Sequence, residues 1–480
     1  MAIFLTVLCY FVILMGVSRW TSRRATNASF YRADRRAPWP MVAFGMVGAS
    51  ISGVTFVSVP GMVLTSQMTY LQTCMGFILG YVVVAFVLLP LYYRLNLTSI
   101  YAFLGQRLGP ASHKTGSWFF LLSKMTGAAV KFYVVCIILQ RFVFDPLGVP
   151  FAATVCGLVL LIWLYTRRGG LKTLVWTDSV QTLCLFAALL LIIYKVVADL
   201  GLGWSGAVGA VAESPLSQVF VWDDWLSSRH FWKQFLSGAF IVVVMTGLDQ
   251  DMMQKNLTCR TLRDAQKDMC SYGVAFLPAN LLFLALGVLL TLWYQQHGLS
   301  LPAAGDDLLP LYVEGQASLL SPLFVLGIVA ASFSSADSAL ASLTTIFCVD
   351  ILERPDDERL RKRTHLAMCA VFVVFILLFR VAGTTSLIDT IYTLVGYTYG
   401  PLLGLFAYAL FGSKGKSLSS KTDYLVPVVC IASPLLCYAI QAVCAASFGY
   451  HFGYELLMLN GILTYIFIFI LHCLHSYTHR

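Results

Sequence analysis

Charge is scarce in this sequence. Asp, Glu, Lys and Arg make up 11% of its 480 residues, against about 25% in a soluble domain. Hydrophobic residues reach 59% and the mean hydropathy is +0.79. That composition excludes a water-soluble globular protein. Other features are missing too. There is no Gly-x-x-x-x-Gly-Lys-Ser/Thr phosphate loop and no run with metal-ligand spacing, so neither an ATP site nor a metal centre is on view. No loop between apolar spans exceeds about 35 residues, too short for an independent domain. This excludes a membrane-anchored kinase, hydrolase or receptor, and the expectation is not an enzyme. The first residues carry no basic region and no small-residue cleavage site, so the opening apolar run reads as a retained helix. Most of the 13 cysteines fall inside apolar runs and read as small buried hydrophobes, not disulfides. The net charge of +9 comes from short clusters between apolar spans, a poor design for nucleic acid.

Apolar runs are present almost end to end. A helix needs about 20 apolar residues to cross the hydrocarbon core. By that rule the chain is an all-α integral membrane protein of about 13 transmembrane helices, at roughly 1–17, 39–65, 68–93, 115–141, 149–166, 174–199, 232–248, 271–294, 318–349, 364–382, 386–412, 424–448 and 453–475. Basic residues gather in alternate loops: Arg19, Arg23, Arg24, Arg32, Arg35 and Arg36; Arg94, Arg107 and Lys114; Arg167, Arg168 and Lys172; Lys255, Arg260, Arg263 and Lys267; Arg354, Arg359, Arg361, Lys362 and Arg363; then Lys414, Lys416, Lys421 and Arg480. The opposite loops carry acidic residues such as Glu213, Asp223, Asp224, Asp306, Asp307 and Glu314. The positive-inside rule then puts the N-terminus outside and the C-terminus in the cytoplasm. A bacterial inner (plasma) membrane suits so compact a chain.

Ionisable residues inside a bilayer cost a few kcal/mol each and mark function by default. Four stand out: Lys124 and Lys131 in 115–141, Asp178 in 174–199, and Asp337 in 318–349. Each could instead serve a structural ion pair. The span 39–65 holds Gly48-Ala-Ser-Ile-Ser-Gly-Val-Thr55 and then Pro60-Gly61, two glycines and three hydroxyls in eight residues, which lets the backbone unwind. Unwound backbone at membrane depth is tolerated where it lines a cavity, and its carbonyls suit Na⁺. Small-residue packing is the rival reading. The span 318–349 holds Ala331-Ser-Phe-Ser-Ser-Ala-Asp-Ser338. Ser334 and Ser338 share a helical face with Asp337 beside them, a set of oxygens suited to an alkali cation.

These segments resemble the sodium/solute symporter family, whose members include sialic acid, proline and sugar symporters. Tyr92-Tyr-Arg-Leu-Asn96, Gly169-Gly-Leu-Lys-Thr-Leu-Val-Trp-Thr-Asp178 and Gly396-Tyr-Thr-Tyr-Gly-Pro-Leu-Leu-Gly404 add further matches in the family's order, from about Phe30 to Phe411. The resemblance implies a LeuT-like core of 5+5 inverted repeats with one extra N-terminal and two extra C-terminal helices. The divisions are then 1–38, a helix and cytoplasmic loop; 39–199, the first repeat; 200–231, an extracellular loop; 232–412, the second repeat; and 413–480, two final helices. It implies a main Na⁺ site at the carbonyls of Gly48, Ile51 and Ala331 and the hydroxyls of Ser334 and Ser335. It implies a further Na⁺ site, present in some members, at Asp178, Ser334, Asp337 and Ser338, with the Asp337 carboxylate departing from the serine of that pattern. It also implies a solute site between the broken helices, with Ser50, Ser52, Thr55, Gln72, Lys131 and Phe240 as its candidates. Lys131 falls where sialic acid transporters hold the substrate carboxylate with an arginine. The rival reading pairs Lys131 with Asp178 or Asp337.

The expected activity is secondary active symport: Na⁺ coupled to import of a small polar solute (sugar acid, organic anion or sugar) by alternating access, in a monomer embedded in lipid. A proton-coupled or uncoupled transporter of a sugar or amino acid is the alternative. Neutral carbonyls and hydroxyls in the main site do not titrate at physiological pH, which weighs against protons.

Overall fold

Long apolar runs bury their own backbone polar groups by coiling into helices, since lipid supplies no partner for them. In the computed structural model those helices dominate: among the described residues (all except 1, 24, 226, 317–319, 383–386, 413–416, 451, 479 and 480) there is no strand, only an isolated bridge between Ala37 and Cys259. Of the clustered basic residues, Arg24, Lys414, Lys416 and Arg480 lie outside the described residues.

The principal helices are α1 (Ala2–Thr21), α2 (Trp39–Ser50), α3 (Gly53–Gly61), α4 (Tyr70–Val83), α5 (Pro110–Leu139), α6 (Phe151–Thr166), α7 (Leu171–Asp199), α8 (Phe231–Val242), α9 (Gln250–Asn256), α10 (Leu262–Gln296), α11 (Leu320–Ile346), α12 (Glu358–Ala382), α13 (Leu387–Ala407), α14 (Ser420–Phe448) and α15 (Leu456–Thr478). Among the described residues ten helices are long and apolar enough to span a membrane, and two bent pairs raise the number to 12. The expected count of 13 is not reached by length. The remaining helix, α6, has 16 residues, about 24 Å at ~1.5 Å per residue, short of the ~30 Å hydrocarbon core.

Both bent pairs place their breaks inside the molecule. Between α2 and α3, Ile51 and Ser52 are extended, with ψ of 94° and 173°, and the axis turns by 59°. This is the segment whose glycines and hydroxyls weaken helix propensity. The second break comes after α8 and a wide helical turn, Val243–Gly247, and leads into α9 after a bend of 70°. Hydropathy ends a span at 248 and gives the next residues to a loop. That is corrected: α9 carries Asp251, Gln254, Lys255 and Asn256, and all four are buried. A hydropathy window rejects such a segment. The fold accepts it because the charges are paired within the protein.

Helix α11 is almost wholly enclosed, whereas α1 and α14 face largely outward. Helices α4 and α8 meet through glycine. A Cβ on Gly76 would come within 1.9 Å of the Phe235 carbonyl oxygen, and one on Gly238 within 2.3 Å of that of Thr73. Small residues at such crossings let backbones approach and gain close packing where lipid gives no hydrophobic drive.

Candidate functional site

A helix that stops leaves its last carbonyls without intrahelical donors. At the end of α2 the Val47 carbonyl is still satisfied by Ile51 N–H, and the next carbonyls, from Gly48 onward, are released into the interior. The neighbouring face of α11 meets them. Ser335 Oγ donates to the Ala49 carbonyl at 2.7 Å and to the Ala331 carbonyl at 3.3 Å. Gly48 packs so tightly on α7 that an added Cβ would lie 1.9 Å from Thr182 Oγ1. Gly53, just past the break, has the same relation to Ser332 Oγ at 2.2 Å. Thus Gly48, Ala331 and Ser335 sit at one junction of α2, α7 and α11. Ser334 turns toward α7 instead, donating to Asp178 Oδ1 at 2.8 Å.

Beside this junction lies an inner cavity of about 100 Å³, whose wall includes Ser50, Ser52, Thr55, Tyr70, Tyr81 and Lys131. Ser50 and Tyr272 share a hydroxyl–hydroxyl bond. A larger vestibule of about 900 Å³ opens over it, lined by Ser58, Gly61, Thr65, Arg229 and Asp306, and Tyr70 borders both spaces. The inner cavity is smaller than the ~300–1,000 Å³ of a ligand pocket. Admitting a solute therefore requires its walls to separate.

Lys131 borders this cavity and also a space of about 50 Å³ beneath it, lined by Lys124, Asp249, Asp251, Ser335 and Tyr399. Among the described residues Lys131 has no ion-pair partner, and neither Asp178 nor Asp337 reaches it. Lys124 has the structural pairing: its Nζ lies 2.7 Å from Asp251 and 3.2 Å from Asp249. Asp249 caps α9, accepting from the N–H groups of Asp251 (2.8 Å) and Met252 (3.3 Å), and it receives the Tyr399 hydroxyl at 2.7 Å. This network ties α5, the second break and α13 together.

Asp178 is met from the far side by Lys255, whose Nζ lies 2.8 Å from Oδ2 with both side chains almost fully buried. The contact is an ion pair without hydrogen-bond alignment. With its amide turned to suit its neighbours, Gln181 also donates to Asp178 Oδ1 at 3.2 Å. Asp337 accepts from the Tyr165 hydroxyl (2.7 Å) and from Ser338 Oγ (3.2 Å). By sequence Lys255 belongs to a basic loop cluster, and nothing local reveals that it points inward.

Two expected solute contacts are corrected. The Gln72 amide is fully engaged, donating to the carbonyls of Thr69 (3.3 Å) and Arg229 (3.0 Å) and accepting from Val221 N–H (3.2 Å). It fastens the loop before α8 and does not line the inner cavity. Phe240 is 40% exposed; the α8 side of the cavity is formed by Ile241 and Val242, which the helical turn presents inward.

The model of the sodium:solute symporter family matches residues 30–417. The chain belongs to that family. It is 25% identical over 443 residues to the sodium/sialic acid symporter SiaT of Proteus mirabilis, covering 88% of this chain and 86% of that one. It is 26% identical over 443 residues to the sodium/sialic acid symporter NanT of Aliivibrio fischeri, covering 87% and 84%. Its fold matches the solved structure of a Na⁺-coupled sialic acid symporter in a substrate-bound outward-open state, with a TM-score of 0.81 at 21% identity over 99% of this chain and 98% of that chain. The protein is a multi-pass membrane transporter, not an enzyme, and it couples Na⁺ to the movement of a small solute.

Proposed function

We propose that this symporter imports an acidic solute, a sugar acid or another small organic anion, and that Lys131 holds its carboxylate. One observation carries this reading: Lys131 is the ammonium on the cavity wall without a carboxylate partner among the described residues, while Lys124 and Lys255 are each paired. Lys131 is half-buried on that wall, a partly desolvated charge without a counter-ion is costly, and an anionic substrate relieves that cost. Hydroxyls of Ser50, Ser52 and Thr55 on the same wall suit a polyol or sugar body better than an apolar one. The sialic acid symporters among its relatives are consistent with this class. An uncharged sugar fits the hydroxyls but leaves Lys131 unused.

Na⁺ binds, on this reading, at the first break, with carbonyls of Gly48, Ile51 and Ala331 and hydroxyls of Ser335 and Ser334, the latter offering an oxygen lone pair while its O–H still donates to Asp178. Ser335 already bridges Ala49 and Ala331, so its oxygen stands at the junction. On this reading the two breaks open two inverted halves, 39–199 and 232–412, and substrate and ion sit where the halves meet. Each Na⁺ entering down 100 mV supplies about 2.3 kcal/mol before its concentration term. The protein works as a monomer in the plasma membrane, with its basic loops in the cytoplasm and its N-terminus outside.

The test is binding by intrinsic fluorescence across a panel of sugars, sugar acids and amino acids, in Na⁺ and in K⁺, with Lys131→Met alongside. Saturable, Na⁺-dependent binding of an acid that the variant loses supports the reading. Equal binding of the acid by Lys131→Met removes it.

A further inference from the structure

The family resemblance implies a second sodium at Asp178, Ser334, Asp337 and Ser338, and the side chains found there do not leave it a place. The Asp178 carboxylate is engaged on both oxygens: Oδ1 by Ser334 and Gln181, Oδ2 by the Lys255 ammonium at 2.8 Å. Asp337 is held by the hydroxyls of Tyr165 and Ser338. We propose that the Lys255 ammonium is a tethered substitute for the second cation, so that this chain binds one Na⁺, at the first break. The proposal rests on the main Na⁺ site at that break and deepens it.

Chemistry and placement both favour the substitution. An ammonium and a sodium ion carry the same charge and seek the same oxygens, and two cations on one buried carboxylate repel with little water to screen them. Lys255 is also held firmly. Its neighbour Gln254 donates to the Tyr31 carbonyl at 2.7 Å and to Thr345 Oγ1 at 3.1 Å. On the other side Asn256 donates to the Ala265 carbonyl at 3.1 Å and to Asp268 at 2.6 Å. The flanking residues thus pin α9 on both sides of the lysine. Its side chain runs from α9, past the second break, to Asp178 on α7, which in turn receives Ser334 of α11. The carboxylate at Asp337 fits the same logic, because it stands where the resemblance implies a neutral serine: an added negative charge accompanies the added positive one. A cation bonded to the chain cannot cross the membrane, so it orders the site without adding to the driving force.

The test counts bound radiolabelled Na⁺ on the purified full-length protein in detergent. Wild type should bind one Na⁺ per chain without cooperativity, Ser335→Ala should bind it about tenfold or more weakly, and Lys255→Met should gain a second. Thermal melting checks that each variant is folded. If Lys255→Met does not fold, Lys255→Met with Asp178→Asn removes both charges and should return to one Na⁺. Two Na⁺ per wild-type chain overturns the proposal, as does a folded Lys255→Met that still binds one. A single Na⁺ that is not weakened in Ser335→Ala but vanishes in Asp178→Asn places the ion at the carboxylate and also overturns it. If that ion is weakened by neither change while Lys255→Met gains another, the substitution stands and the first-break assignment falls.

Discussion

Ser335 Oγ spans from α11 to the Ala49 carbonyl at the end of α2, a distance of 2.7 Å. It is the one side chain that hydrogen-bonds a carbonyl at the first break among the described residues. Removing it should weaken Na⁺ without dismantling the fold. The hydroxyl oxygen would meet Na⁺ as an ion–dipole ligand, comparable in worth to a hydrogen bond to a charged group at about 1.5–3 kcal/mol, so Ser335→Ala should lower Na⁺ affinity about tenfold or more. Uptake measured against Na⁺ concentration checks this, and an unchanged Na⁺ dependence would move the ion elsewhere.

Lys131 should decide between acids and neutral solutes. Lys131→Met is expected to reduce affinity for an acidic substrate by about ten- to hundredfold, the effect of one charged hydrogen bond. Lys131→Arg should keep much of it, since the guanidinium also meets carboxylates, with two parallel donors. Titrating each variant with an acid and its amide separates charge recognition from general damage. Equal losses for both ligands would argue for damage.

The pairing of Lys124 with Asp249 and Asp251 is structural, and its loss should show as instability. Lys124→Met leaves two buried carboxylates without their ammonium. Breaking a buried pair from one side costs about 3–5 kcal/mol, so the melting temperature in detergent should fall sharply. Adding Asp251→Asn should recover part of the loss. No recovery would mean that Asp249 and its bond from Tyr399 carry the whole effect.

Gly48 tests the fit of α2 on α7. Its substitution by Ala drives a methyl group to 1.9 Å from Thr182 Oγ1, and overpacking of this kind costs about 1–3 kcal/mol. Combining Gly48→Ala with Thr182→Ala removes that oxygen but leaves Cβ at 2.8 Å, so it should recover only part of the stability, measured by melting. Failure to recover any would show that the helix backbones themselves collide.

The sequence discloses the first break because glycine and serine announce weak helix on their own. It conceals the second. Asp251 and Lys255 look like loop residues to any local rule, and they are buried because Lys124 and Asp178 wait for them on other helices. Gln72 illustrates the same limit in reverse: an amide in an apolar span reads as a ligand until the carbonyls of Thr69 and Arg229 are seen to take its donors and Val221 N–H its acceptor. Phe240 is misplaced by helical phase alone, since one residue further along, Ile241, faces the cavity. Lys131, Ser50, Ser52 and Thr55 are legible because charge and hydroxyls in lipid have few uses.

The glycine contacts between α4 and α8 have a mechanical consequence. Where carbonyl oxygen sits against bare Cα, there are no side chains to slide past one another, and a small shear meets backbone at once. Phe77 and Tyr81 on one helix, with Ile241 and Val242 on the other, line the inner cavity beside these contacts, so any movement of one helix would carry the other with it as a single plate. A solute entering the inner cavity would meet that plate swinging whole, and the give in the structure must come from its far edges.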